Sequence, residues 1–109
     1  MDRDRAHLLD ILEAAKLAVS YVGTQTEQEF LSGIQCQDSV IRRFEIIGEA
    51  AKRVSEPTRA DYPDLPWSEM IGMRNLLIHE YDDVDMAIVW RTVRDELPPL
   101  VKQLEAVLG

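Results

Sequence analysis

Trp67-Ser68-Glu69-Met70-Ile71-Gly72-Met73-Arg74-Asn75-Leu76-Leu77-Ile78-His79-Glu80-Tyr81 is the stretch whose reading decides the fold. It opens after Pro66, a residue suited to a first helical turn, and its apolar residues recur at helical spacing, predicting a helix to about Ile78 or His79. On that helix the neighbours of Arg74 three and four places away are Met70, Ile71, Leu77 and Ile78, all apolar. A guanidinium on such a stripe has to be paired with an anion or aimed into a wet cleft, because an unpaired buried charge is very costly. Asn75 stands one turn before His79 and is placed to orient its ring. Tyr81 falls roughly 20° around the helix from Arg74, whereas Arg74 and His79 are about 140° apart. Arg74 and His79 therefore do not converge on one regular helix. Another element or another subunit has to complete the cluster, or the helix ends near His79.

Outward from this stretch nearly everything reads helical. The chain has 109 residues with five glycines and five prolines, and no apolar–polar alternation persists. A first helix is expected over about residues 3–22, capped by Asp2 and stopped at Gly23, with a stripe of Leu8, Ile11, Leu12, Ala15, Val19 and Val22. A short helical turn is expected at Thr26–Leu31, ending near Gly33. A second long helix is expected from about Ile34 to Val54. Its apolar set is Val40, Ile41, Phe44, Ile47, Ala51 and Val54, widened by Ile46 and Ala50. That is broad for one buried face, so the helix can touch both the core and a partner. Pro57, Pro63 and Pro66 punctuate a loop with a short turn around Thr58–Tyr62. Tyr81-Asp82-Asp83-Val84-Asp85 reads as a connector in which Asp83 or Asp85 caps the last helix. That helix carries Met86, Val89, Trp90, Val93, Leu97, Leu100, Val101, Leu104 and Val107, and Pro98-Pro99 must kink or interrupt it. The expectation is an all-α, up-and-down bundle of four main helices plus a short extra one, forming a single domain over residues 1–109.

The totals narrow the function. One cysteine, Cys36, excludes an internal disulfide and a multi-cysteine metal site. No run approaches the length of a membrane helix and no leader pattern is present, so a cytoplasmic protein is expected. The formal net charge is −8, from 20 acids against 12 bases. Broad, charge-driven nucleic-acid binding by the whole surface is disfavoured. Six bases nevertheless fall between positions 42 and 74: Arg42, Arg43, Lys52, Arg53, Arg59 and Arg74. They leave room for a local basic cleft, with Arg42-Arg43 and Lys52-Arg53 either solvated or lining one groove.

Each candidate has a plain and a chemical reading. Arg74 and His79 can be a salt-bridged arginine, paired with Glu45 or Glu49, and a histidine near a helix end. They can equally serve metal-free phosphodiester chemistry. His79 would move a proton, Arg74 would stabilise charge on phosphorus, and an RNA 2′-hydroxyl would be the nucleophile. Glu80, Asp82 and Asp83, if close, favour the imidazolium and hence an acid role for His79. Tyr81 is a half-buried tyrosine, a phosphate contact or a modification site. Glu80, Asp82, Asp83 and Asp85 read as a solvated capping connector rather than a metal site. His7 reads as surface, Cys36 as small packing, and Trp67 and Trp90 as packing anchors.

Beyond these residue-level readings, Trp67…Ile71-Gly72-Met73-Arg74-Asn75-Leu76-Leu77-Ile78-His79-Glu80-Tyr81, followed by Val84-Asp85…Val89-Trp90 and Leu97-Pro98-Pro99-Leu100, resembles the HepT-like branch of the HEPN superfamily. So does Ile46-Ile47-Gly48-Glu49-Ala50-Ala51-Lys52. The likeness runs over nearly the whole chain. It implies a helical bundle that dimerises and acts as the toxin of a two-gene toxin–antitoxin pair, a ribonuclease whose arginine and histidine from two subunits line one cleft. Carried over, Arg74 binds the scissile phosphate, His79 transfers the proton and Asn75 orients His79. The implied antitoxin is a small nucleotidyltransferase that transfers AMP to the motif tyrosine, here Tyr81, blocking RNA by bulk and charge. No metal and no cofactor are implied. The competing expectation is a non-catalytic helical module that pairs with a separately encoded nucleotidyltransferase and presents nucleotide or substrate to it.

Overall fold

The computed structural model describes residues 3–79 and 85–109, with residues 75–79 described as backbone only. Its elements are α1 (Arg3–Val22), α2 (Glu27–Leu31), α3 (Ile34–Arg53), α4 (Glu56–Asp61), α5 (Trp67–His79), α6 (Met86–Arg91) and α7 (Leu97–Leu108), with a π-helical segment, Thr92–Glu96, between the last two. The protein is all-α, and the described residues contain no strand. α1 packs against α3 on one side and α7 on the other, and α3 also packs against α5.

Local chemistry sets the ends. α1 stops where Gly23 takes φ +53°, a left-handed conformation a side chain would resist. Its N–H closes the helix on the Val19 carbonyl at 2.9 Å. Thr26 and Glu29 form a capping box at α2: the Thr26 hydroxyl accepts from the Glu29 N–H at 3.2 Å, and the Glu29 carboxylate accepts from the Thr26 N–H at 2.8 Å. Asp85 caps α6 by accepting from the Ala87 N–H at 2.9 Å. Asp2, the expected cap of α1, lies outside the described residues.

The interruption expected at Pro98-Pro99 falls earlier. Both prolines sit in the first turn of α7, where a missing N–H costs little. Neither can donate to a carbonyl four residues back, so the chain upstream changes pitch, and the Leu97 N–H bonds the Thr92 carbonyl five residues back.

The core is one cluster. It includes Leu8, Ile11 and Ala15 of α1, Phe30 of α2, Val40, Phe44 and Ile47 of α3, Met70 of α5, and Val89, Val93, Leu97, Leu100 and Leu104 of the C-terminal segment. Ala14 and Ala18 are also buried, whereas Leu12 and Val19 are only partly covered. α1 thus turns a small-residue flank inward. Trp67 and Trp90 are half-buried anchors rather than core residues, each with an arginine over its ring: Arg59 at 5.8 Å and Arg94 at 5.5 Å.

Candidate functional site: a charged cleft at the α1–α3–α5 junction

Gly48 sets the site's geometry. A Cβ placed there would collide with the Cβ of Arg74 and come within 2.9 Å of its backbone nitrogen and 3.1 Å of its Cα. α3 and α5 therefore touch almost backbone to backbone at this crossing, a contact only glycine permits. The next residue, Glu49, is brought beside the Arg74 guanidinium, and its Oε2 pairs with Arg74 Nε. The other carboxylate oxygen, Oε1, lies 3.6 Å from Arg53 one turn further along α3. Glu49 is thus held between two guanidiniums.

This cluster forms one wall of an open cleft of about 450 Å³. α1 contributes His7 and Asp10, α3 contributes Arg42, Glu45, Ile46, Glu49, Ala50 and Arg53, and α5 contributes Arg74. The Arg74 side chain is 29% exposed and that of Glu49 39%. Both alternatives read from the sequence for Arg74 hold together, since it has an anion and it faces a wet cleft. An ion pair this accessible is worth about 0–1 kcal/mol, far from the cost scale of a buried charge.

The bases between 42 and 74 divide. Arg42, Arg53 and Arg74 reach the cleft. Arg59 does not. Its Nε donates to the Val54 carbonyl at 3.1 Å, and its Nη2 donates to those of Ala51 at 3.2 Å and Lys52 at 3.0 Å, capping the end of α3. Arg43 is half-buried, and its Nε has no hydrogen-bond partner among the described residues. Among the described residues three arginines face three carboxylates, Asp10, Glu45 and Glu49, so this part of the cleft is not the basic groove that the sequence left room for. His7 is half-buried in its wall, on the surface of the cleft. His7 and Asp10 carry no sequence signal for this, because their meeting with α3 depends on how α1 crosses it, whereas Glu45 was read beside Glu49 as a candidate partner of Arg74. Glu49 was legible as a candidate partner of Arg74.

The His79 backbone closes α5, but the side chains of Asn75 and His79 lie outside the described residues, as do Tyr81 and the acids Glu80, Asp82 and Asp83. Among the described residues no group of His, Cys, Asp and Glu could hold a metal ion, and no helix is long and apolar enough to cross a membrane.

A carboxylate away from the cleft, Asp4, is strongly shifted. Asp4 accepts from Ser55 Oγ at 2.5 Å, from Thr58 Oγ1 at 2.6 Å and from the Ser55 N–H at 3.0 Å. These bonds, the Ser55 hydroxyl foremost, hold its pKa at about 2. Asp4 joins the start of α1 to that of α4 and serves architecture. Burial raises the Cys36 thiol.

Comparison with known proteins finds relatives over nearly the whole chain. A protein of Thermococcus cleftensis named "Probable ribonuclease HepT" is 38% identical over 99 residues, covering 91% of this chain and 90% of that one. "Putative RNase MJ1380" of Methanocaldococcus jannaschii is 37% identical over 103 residues, 94% of each chain. "Putative RNase TTE0752" of Caldanaerobacter subterraneus is 34% identical over 108 residues, covering 99% of this chain and 96% of that one. No solved structure matches significantly. The family model described as ribonuclease HepT-like matches residues 11–107, a span that takes in the Gly48–Arg74 crossing and the α3 and α5 walls of the cleft, and the chain belongs to that family.

Proposed function

We propose that this chain is a single-domain, cytoplasmic endoribonuclease that acts as a dimer, the toxin of a two-gene toxin–antitoxin pair. The observation that carries the reading is Arg74. In a chain of the ribonuclease HepT-like family, it is set by a glycine contact into the wall of a solvent-open cleft. In this reading Arg74 binds the scissile phosphate and stabilises its developing charge. His79, oriented by Asn75, transfers a proton. The 2′-hydroxyl of the RNA attacks phosphorus, the bond to the 5′ oxygen breaks, and the products are a 2′,3′-cyclic phosphate and a 5′-hydroxyl. Dimerisation answers the angular divergence of Arg74 and His79 on one helix, because a second subunit can supply the missing group. A nucleotidyltransferase antitoxin then adds AMP to Tyr81, two residues beyond His79, and closes the site to RNA by occlusion and repulsion.

The test measures intact mass and RNA cleavage on one sample, before and after incubation with the neighbouring nucleotidyltransferase, ATP and magnesium. The expected result is cleavage that needs Arg74 and His79, lost as AMP appears on Tyr81. Arg74→Ala and His79→Ala should each relieve growth arrest on expression. Persistent arrest in both variants would overturn the catalytic assignment.

A second reading rests on the Arg74–Glu49 pair and on the carboxylates that stand opposite the arginines among the described residues of the cleft. Here the chain is a non-catalytic module that presents nucleotide or substrate to a nucleotidyltransferase. It predicts partner binding and nucleotide affinity without cleavage, and RNA cleavage by the isolated chain that depends on His79 rejects it.

A further inference from the structure

Among the described residues three arginines line the cleft, and the ribonuclease reading uses one of them, Arg74. The other two, Arg42 and Arg53, stand on the wall that α3 provides. They are eleven residues apart, which on an α-helix is about 20° of rotation and roughly 16 Å of rise. They therefore share one face of α3 and mark its two ends. Arg74 enters between them. It crosses α3 at Gly48, which is about 9 Å along the axis from Arg42 and about 7.5 Å from Arg53. The order along the wall is a cation, then Glu45 and Glu49 with Arg74 paired to the second, then a cation.

Both end arginines have charge to offer a ligand. Arg42 is exposed, and although Asp38 and Glu45 stand a turn to either side of it on α3, it makes no hydrogen bond or ion pair among the described residues. The Arg53 side chain is 66% exposed, and its contact with Glu49 is 3.6 Å long, a pair that solvent screens. Neither belongs to the core cluster, so neither is held in the cleft by packing.

Resting on the ribonuclease reading above, we infer that Arg42 and Arg53 bind the phosphates that flank the scissile one, and that the substrate is a single strand of RNA laid along α3. The wall between them is longer than one nucleotide, so one arginine serves the 5′ side of the phosphate held by Arg74 and the other the 3′ side. An exposed guanidinium offers a phosphate paired N–H donors in a fixed fork. Glu45 and Glu49 repel phosphate at the centre of the wall, so the two ends supply the grip, and Arg74 sets the register when it leaves Glu49 for the scissile phosphate. A single line of arginines suits one backbone. A duplex carries phosphates on two strands and asks for a broader basic face, which a net charge of −8 disfavours.

The experiment takes an RNA oligonucleotide that the whole protein cuts at one mapped position and blocks it there with a 2′-O-methyl group, which keeps the register and prevents cleavage. Arg42→Gln and Arg53→Gln should each bind it about tenfold more weakly at low salt. Each should also flatten the fall of log affinity with log salt by about 0.7, the share of one phosphate contact on a single strand. Arg42→Lys and Arg53→Lys keep the charge and should keep the slope. Neutral methylphosphonates, introduced one linkage at a time, locate the contacts. One placed on one side of the cut should weaken wild type but not Arg42→Gln, and one on the other side should weaken wild type but not Arg53→Gln. With the unblocked oligonucleotide the loss should appear in KM, whereas Arg74→Ala loses kcat. Glutamine variants that cut the RNA with the wild-type KM and keep the wild-type affinity and salt slope overturn this inference and leave the ribonuclease reading intact. So does a loss of affinity that couples to no phosphate, which would make the arginines structural, or a duplex RNA bound as tightly as the single strand. A wild-type protein that cuts no RNA overturns the ribonuclease reading, and this inference with it.

Discussion

Gly48→Ala sets two well-known effects against each other, and the structure decides which wins. Alanine is the better helix former by about 1 kcal/mol, so at an exposed site in α3 this substitution would stabilise. At position 48 the new methyl would strike the Cβ of Arg74 and lie 2.9 Å from its backbone nitrogen and 3.1 Å from its Cα. Contacting heavy atoms settle near 3.5–4.0 Å, so a gap of more than half an ångström has to open. The atoms in the way are the backbone and Cβ of α5, not the end of a flexible side chain, and no rotamer change relieves them. Overpacking of this kind costs about 1–3 kcal/mol, and the rigid obstruction argues for the upper end. The net is a destabilisation of about 2 kcal/mol, or a fall of roughly 8 °C in Tm at about 4 °C per kcal/mol for a domain of this size. Thermal and urea unfolding monitored by circular dichroism measure it. Moving α5 off α3 also moves Arg74 away from Glu49, so RNA cleavage should fall at temperatures where the variant is still folded. A variant as stable as wild type, or a few degrees more stable, would refute the close crossing and with it the account of how Arg74 reaches the cleft.

Other consequences are as direct. The depressed pKa of Asp4 means that its contribution is fully present above its unfolded value of 3.8 and is lost as pH falls towards about 2. Acid unfolding of wild type should therefore steepen in that window, and Asp4→Asn should flatten it; matching acid curves would remove the Asp4 link. Thr26→Ala deletes the side-chain half of the α2 capping box and should cost about 1 kcal/mol in urea unfolding, with Thr26→Ser close to neutral. With its thiol raised by burial, Cys36 should react with a thiol reagent at pH 8 more slowly than free cysteine and reach the free rate on unfolding; immediate reaction in the folded state would contradict its placement.

How far the sequence could be read depended on how local each signal was. Gly23 ended α1 and Asp85 began α6 because caps are written in one or two residues. The stripe of α1 was misjudged at its edge. Leucine and valine outweigh alanine in a hydrophobic pattern, yet a helix wedged between α3 and α7 buries Ala14 and Ala18 fully and leaves Leu12 and Val19 at the margin. The two prolines announced an interruption but not its position. That depended on which carbonyls lost their donors, and the strain was taken up at Thr92–Glu96.

The cleft marks where such reading stops. The sequence could say that Arg74 needs an anion or water, because that follows from its own helix. It could not say that a glycine on another helix would bring Glu49 to it, or that α1 would set His7 and Asp10 opposite. The pairing of Arg74 with Glu49 also does not decide between structure and chemistry. An ion pair open to water holds a guanidinium in place for about 1 kcal/mol or less, whereas a bidentate phosphate contact is a stronger, charge-assisted bond. A weak internal partner keeps Arg74 ordered in the resting protein, and a phosphate can displace it at small cost. If that is how the site works, Glu49→Gln should bind a non-cleavable RNA oligonucleotide more tightly than wild type. Binding by titration at fixed ionic strength is the measurement, and weaker binding by the variant would make Glu49 a structural strut for Arg74 rather than an exchangeable partner.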